Sequence, residues 1–331
     1  MKRLHKIIAV IACLTIVLSF AACKKTDDKP SETGTPASTD TKYTVGILQL
    51  IQHEALDAAT RGFREALTQE LGDKVTFVEQ NAQGDVNTCA TIANGFVASK
   101  VDLIMANATP ALQAAAAATS EIPVLGTSVT EYGVALDIKD FKGTVGGNVS
   151  GTSDLAPLDE QAAMVKELFP DAKKVGLLYC SGEPNSVYQV NTVKRFLEDM
   201  GYTCTLYSFA DSNDIAAVTT TAAKASDVIY VPTDNAAASN KEIIDNICRP
   251  AKVPVIAGEK GIASGCGVAT LSIDYYDLGV ATGKMAAKVL KGEANISTMP
   301  IEYAPEFTKM YNPAICEALG ITPPQGYVAI E

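Results

Sequence analysis

An order of strands and helices that runs once and then runs again constrains this chain more than any other feature. Residues 43–50 (YTVGILQL) form an apolar, β-branched run of strand type. A helical pattern over 53–71 follows, with Ala55, Leu56, Ala59, Phe63 and Leu67 three or four apart, closing at Gly72. Next come a strand at 75–79, an NAQGD turn at 81–85, a helix through 88–99 and a strand at 103–107. An Ala-rich helix at 111–119 and a strand at 124–126 complete the series. After Pro170 the order restarts with a strand at 174–179 (KVGLLY), a helix through 188–200 and a strand at 204–209. A helix at 214–225, a strand at 227–231 and a further strand at 253–255 follow. Val45 and Val175, Asp102 and Asp227, and Ile122 and Val253 are then corresponding points, separated by 130, 125 and 131 residues.

Strands alternating with helices of this length predict an α/β chain with parallel, doubly wound sheets. The duplication predicts two such lobes. Residues 133–153 and 267–274 follow the last strand of each lobe and lack helix signals, as extended interlobe connections would. A helix at 278–290 ends at Gly292, and 301–303 and 328–330 are late strands. The expected lobes are 43–152 with about 278–302, and 153–277 with about 303–331, joined by a hinge of several crossovers. Ligands of open α/β sheets sit outside the strand carboxyl ends, so two facing sheets share one cleft.

The N-terminus is set apart from this pattern. Lys2, Arg3 and Lys6 precede a charge-free run over 7–22, too short for a membrane-spanning helix and suited to the core of a signal peptide. Ala21-Ala22-Cys23 after that core has the form of a bacterial lipobox, with Phe20 where Leu is usual, and makes Cys23 a lipidation site. Residues 23–42 are rich in Ser, Thr, Pro and Asp without a large apolar side chain, hence a solvated tether. An extracytoplasmic location, anchored by lipid to a bacterial cell membrane, follows from these readings.

Charge and composition narrow the function. There are 27 Lys+Arg against 38 Asp+Glu, a net charge of −11 that becomes −14 without 1–22. Nucleic-acid binding needs a dense basic patch and is disfavoured. Two histidines, His5 and His53, leave no His-rich metal site and little for a catalytic triad. The cysteines beyond Cys13 and Cys23 form no C-x-x-C pair and read mostly as small buried hydrophobes. Gly279-x-x-x-Gly283-Lys284 has one residue too few for a P-loop, and Gly147-Asn-Val-Ser150-Gly151 is not a G-x-S-x-G elbow. The chain is not expected to be an enzyme.

Several segments carry a resemblance. They are the NAQGD turn, Ala108-Thr109-Pro110, 148–154 (NVSGTSD), 183–186 (EPNS), 232–235 (PTDN) and 274–279 (DYYDLG). Through them the region 43–319 resembles the solute-binding lipoproteins of ABC importers, in the group with a type I periplasmic-binding fold associated with tryptophan and other aromatic amino acids. The resemblance implies a monomeric receptor without cofactor or metal, with ABC permease and ATPase subunits as partners. Its ligand would be a small amino acid, aromatic favoured.

A free amino acid presents a carboxylate and an ammonium. The carboxylate suits hydroxyl donors and helix N-termini, which points to Thr109, Ser128 and Thr130. The ammonium needs a carboxylate; Asp234 with Asn235 is the first choice and Glu259 the second. Asn185 and Ser186 open a helix and are placed both to cap it and to touch ligand, and Ser153 with Asp154 stands at a crossover, as ligand or as hinge. His53 and Gln49 are candidates to line a side-chain pocket, and Tyr179, Tyr188, Tyr275 and Tyr276 to stack on a ring. A signalling receptor of the same fold and a sugar binder are the alternatives; sugar sites favour stacked Trp, and the chain has none.

Overall fold

The computed structural model describes residues 41–323 and 325–331. The signal segment 1–22, Cys23 and the tether up to residue 40 lie outside the described residues. Among the described residues no helix is long and apolar enough to cross a membrane.

The first lobe begins with β1 (Tyr43–Gln49), α1 (Glu54–Leu71), β2 (Val75–Asn81), α2 (Val86–Ala98) and β3 (Leu103–Asn107). It continues through α3 (Thr109–Ala118), β4 (Val124–Val129), the single turn α4 (Tyr132–Ala135) and β5 (Val149–Ser153). In the second lobe α5 (Leu158–Leu168), β6 (Lys174–Cys180), α6 (Pro184–Asp199), β7 (Thr203–Phe209), α7 (Ile215–Ala225) and β8 (Val228–Val231) come first. Then follow α8 (Asn235–Ser239), α9 (Lys241–Cys248), β9 (Val255–Ala257), α10 (Lys260–Cys266) and β10 (Ala269–Ser272). The chain returns as α11 (Tyr275–Leu290) and β11 (Glu302–Tyr303), and ends in β12 (Thr308–Tyr311), α12 (Pro313–Leu319) and β13 (Val328–Ala329).

The first sheet runs β11-β5-β4-β3-β1-β2 and the second β13-β12-β10-β9-β8-β6-β7. Within each, the five main strands take the same order, second-first-third-fourth-fifth, so the duplication is one of topology. This is an α/β, two-lobed fold with parallel sheets, crossed between the lobes at 154–157, 273–274 and 304–307. In both lobes the strand order reverses beside the first strand, between β1 and β3 and between β6 and β8. That reversal splays the following loops apart and leaves a crevice at the strand carboxyl ends.

Several expectations need correction. Residues 133–153 and 267–274 are not only connections: β5 pairs with β4 along Val149–Ser153, and β10 pairs with β9. Their Ser, Thr and Gly residues conceal a strand that is buried on both faces. The second sheet is not wholly parallel, since β12 runs antiparallel to β10. Helices α5, α9 and α10 carry no separate expectation, being short and interrupted by polar residues. Tyr303 belongs with the first sheet through its pairing to Ser153.

Helices α1 and α11 cover one face of the first sheet together, enclosing Val45, Ile47, Phe63, Leu67, Leu103, Met105 and Met285. Glycine permits their approach. A Cβ at Gly279 would run into the Ala59 carbonyl, and one at Gly62 into that of Tyr276. The Gly279…Gly283 spacing that superficially suggests phosphate binding is therefore a helix-packing device. The six cysteines from Cys89 onward are free thiols, all buried except the half-buried Cys204.

Candidate functional site

The loops that leave the two reversal points meet across the interlobe cleft. His53 and Leu56 follow β1, Ser128 and Thr130 end β4, and Asp154 follows β5. From the other side come Asn185 after β6, Thr233, Asp234 and Asn235 after β8, Glu259 after β9 and Tyr275 after β10. Elements far apart in sequence converge here because parallel strands all deliver their carboxyl ends to the same edge.

The lobes are closed on one another. The His53 ring Nε2 lies 3.1 Å from Asn235 Oδ1, and Ser264 Oγ donates to Glu54 at 3.3 Å. Lys241 Nζ also stands 3.6 Å from Glu54. The space left inside admits little more than a water-sized sphere. A solute reaches these side chains only when the lobes part.

Four side-chain atoms that line this cleft are buried and have no hydrogen-bond partner: His53 Nδ1, Ser128 Oγ, Asp154 Oδ1 and Asn185 Oδ1. Thr109 Oγ1, on the first residue of α3, is also buried without a partner, though Thr109 does not line the cleft. Buried polar groups are nearly always paired, so a cluster of orphans at one cleft marks a place built for something else to bind. Backbone strain marks the same place. Ala108, just before α3, has φ 96°, and Ser128 has φ 54°. Side-chain-bearing residues seldom adopt these values, and they concentrate at ligand clamps.

The cleft is acidic. Asp154 accepts from the Tyr275 hydroxyl at 2.9 Å. Burial nevertheless pushes its carboxyl up to about 6, above the ordinary aspartate range, with the Tyr275 bond opposing the rise. Burial also raises Asp234, helped by neighbouring Glu183, and raises Glu259 to about 7. No Lys or Arg lines the cleft among the described residues. His53 is held neutral, pushed down to about 4 by burial.

The expected site residues fall into two groups. His53, Ser128, Thr130, Asn185, Asp234, Asn235 and Glu259 line the cleft, and Thr109 opens α3 after β3 without lining it. Gln49, Ser153 and Ser186 stand behind it. Gln49 donates to Ile51 O and to Asp57, and accepts from Thr60, which leaves its amide fully occupied in anchoring the start of α1. The Ser153 hydroxyl donates to Thr130 O and accepts from Leu155 N, bracing the first crossover. Ser186 is buried and accepts from Asn185.

Among the lining residues, Asp234 and Glu259 are spoken for. Asp234 accepts from the backbone of Cys180 at 2.6 Å and of Ala237 at 2.8 Å, capping α8. Both Glu259 oxygens cap α10 through Gly261 and Ile262. Asp154, placed by the sequence at a crossover as ligand contact or as hinge, is the carboxylate with a free oxygen. Tyr275 and Glu183 are residues that sequence reasoning did not single out as polar contacts. Glu183-Pro184 before a helix was the available signal for Glu183; nothing local marked the Asp154–Tyr275 pair.

A fold of this kind with a closed acidic cleft agrees with what the chain is similar to. A family model described as ABC transporter substrate binding protein matches residues 44–329. The chain belongs to that family. It is 34% identical to a tyrosine-binding protein of Clostridioides difficile strain R20291, over 96% of this chain and 93% of that protein. A Streptococcus pneumoniae ABC domain solved in complex with L-Trp is 34% identical and superposes with a TM-score of 0.83. That match covers 88% of this chain and all of that one. A ligand-free, open substrate-binding protein with adhesive properties from Clostridium difficile is 36% identical. It covers nearly the same share, 87% of this chain and 99% of that one, yet its TM-score is 0.66. The higher TM-score is with the L-Trp complex and the lower with the open, ligand-free protein, at similar identity and coverage.

Proposed function

We propose that this protein is the extracytoplasmic receptor of an ABC importer, that it captures a free amino acid between its lobes, and that an aromatic side chain is favoured. The observation that carries the reading is the chemistry of the orphaned atoms. Asp154 Oδ1 and Asn185 Oδ1 are acceptors, suited to an ammonium. The Asn185 amide nitrogen is already committed to Glu183, Ser186 and Thr233, so its oxygen is the end that remains. Ser128 and Thr109 supply hydroxyl donors beside the N-terminus of α3, where the helix dipole also favours a carboxylate. Donors at one end and acceptors at the other match a zwitterion.

Closure follows from differential contact. Asp154, Ser128 and Thr109 leave first-lobe strands, whereas Asn185 leaves the second lobe, so a ligand gains all its bonds only in the closed state. It shifts the hinge equilibrium by that difference. The aromatic preference is supported by the tyrosine-binding relative and by the L-Trp complex of the S. pneumoniae relative. Attachment through a lipid on Cys23, a tether over 23–42, and delivery to permease and ATPase subunits complete the reading. The proposed lobes are 43–152 with about 278–302, and 153–277 with about 303–331, except that Ser153 and Tyr303 pair within the first sheet.

Calorimetric titration of the purified protein against the twenty amino acids and a panel of sugars tests this directly. Binding of tyrosine, tryptophan or phenylalanine in preference to sugars is the expected result. The chain contains no Trp, so emission from added L-tryptophan is an independent readout. Heat with a sugar and none with any amino acid would refute the ligand class.

A further inference from the structure

The contact between His53 and Asn235 crosses from one lobe to the other, and what lies behind Asn235 determines what His53 can do. Glu183 is buried and accepts hydrogen bonds from Asn235 Nδ2 at 2.6 Å, from Asn235 N at 3.2 Å and from Ala236 N at 2.9 Å. Backbone N–H groups reach both of its oxygens, Ala236 N one and Asn235 N the other, so both act as acceptors. The Asn235 side chain must therefore turn its NH₂ to Glu183, because the reverse orientation would set two oxygens against each other in a buried site. Its Oδ1 is then the atom facing His53, at 3.1 Å from Nε2. An amide oxygen accepts, so Nε2 must carry the proton. A neutral imidazole protonated on Nε2 has a bare lone pair on Nδ1, and Nδ1 is buried in the cleft without a partner.

We infer that Glu183, through Asn235, sets the tautomer of His53 across the lobe boundary, so that closure presents Nδ1 as a third acceptor for the ligand's ammonium. This rests on the amino-acid reading above and deepens it. In the open state Asn235 is withdrawn and either tautomer is allowed; closing the lobes selects the one that accepts. His53 is thus a positioning and specificity element that exists in its binding form only when both lobes contribute. Burial, which holds the ring neutral, acts in the same direction. A protonated ring would present N–H to the ammonium and oppose binding. The relay also disfavours any ligand that offers an acceptor where the ammonium would lie.

Ring ¹⁵N-labelling of histidine in the full chain tests the inference. Only His5 and His53 contribute signals, and His53→Gln assigns them. The tautomer reads directly from the two nitrogen resonances. With L-tyrosine or L-tryptophan bound, His53 is expected neutral, protonated on Nε2, with its Nδ1 resonance moved by the ligand. In Glu183→Leu no acceptor faces Asn235 Nδ2, so that side chain is free to turn; the Nδ1–H tautomer is expected to gain, and affinity to fall about tenfold or more. An Nδ1–H tautomer or an imidazolium in the wild-type complex at neutral pH overturns the inference. So does an Nδ1 resonance unmoved by a ligand that calorimetry shows to be bound, while the amino-acid reading survives. Absence of binding by any amino acid removes both. If Glu183→Leu does not fold, the wild-type spectra decide alone.

Discussion

Tyr275 donates its hydroxyl to Asp154 at 2.9 Å, linking the first interlobe crossover to the start of α11, just past the second. Both residues are buried, and they are 121 positions apart in sequence. One carboxylate oxygen is thereby fixed, and the other is left without a partner in the cleft. A ligand that engages Asp154 acts on the hinge itself.

Asp154→Asn is expected to weaken amino-acid binding by about a hundredfold, the scale for removing one partner of a buried charge pair. The ligand-free protein should not lose stability, because an uncompensated buried charge is removed. Calorimetry and thermal unfolding on the same preparation separate the two effects. Unchanged affinity would show that the ammonium lies elsewhere.

Binding should be linked to protons. An ammonium beside Asp154 favours the ionised form and lowers its pKa from about 6, so ligand binding near pH 6 releases protons. Affinity accordingly falls as pH drops through 6. Tyr275 and Tyr132, which flank Asp154, are both raised by burial and stay neutral throughout. Titrations at pH 6 in two buffers of different ionisation heat measure the release. Identical heats in both would count against it.

Stability of the ligand-free protein should have the opposite trend to that of most proteins. Asp154, Asp234 and Glu259 bind protons more tightly folded than unfolded, so their burial costs nothing below about pH 4 and its full amount above about pH 7. His53, depressed from 6.5 to about 4, works the other way and costs stability as pH falls across that window. Three acids outweigh one base. The melting temperature is expected to rise by several degrees from pH 7.5 to pH 5.5, and less so once saturating amino acid is present.

Asp234→Ala should mainly affect folding. Loss of the α8 cap and of the bond to Cys180 N is expected to cost roughly 1–3 kcal/mol in denaturant unfolding. Asp234→Asn, which keeps one of the two acceptors, should restore only part of that and bind ligand within a few-fold of wild type. A hundredfold loss of affinity in the Asn variant with intact stability would return the ammonium to Asp234.

Gly279→Leu places a side chain against the Ala59 carbonyl and forces α11 off α1. A loss of roughly 3 kcal/mol or more is expected. Gly72→Ala, at the end of α1 where φ 61° and ψ −133° suit glycine and nothing stands within 4 Å, should cost about 1–3 kcal/mol from backbone strain alone. Paired denaturation curves distinguish packing from strain.

The site was less legible than the lobes. Cleft residues were readable wherever chemistry followed a strand: Ser128 after β4, Asn185 after β6, Asp234 and Asn235 after β8. What each does was not, because capping and ligand contact call on the same side chains. Asp234 and Glu259 have an acidic residue's sequence signature for either purpose, and only the directions of the Cys180, Ala237, Gly261 and Ile262 N–H groups show their oxygens already taken. Gln49 was misleading for the same reason, its amide being spent on Asp57, Thr60 and Ile51.

By itself the sequence determined the repeated α/β order, the placement of the chemistry at strand ends and the segments of the family, because periodicity and turn residues are local properties. Tertiary structure alone decided which polar atoms are left over. That is a property of pairing between residues such as Asp154 and Tyr275, or Glu183, Asn235 and His53. A hydrogen bond consumes a donor or an acceptor wherever in the chain its partner lies, and no local pattern records the remainder.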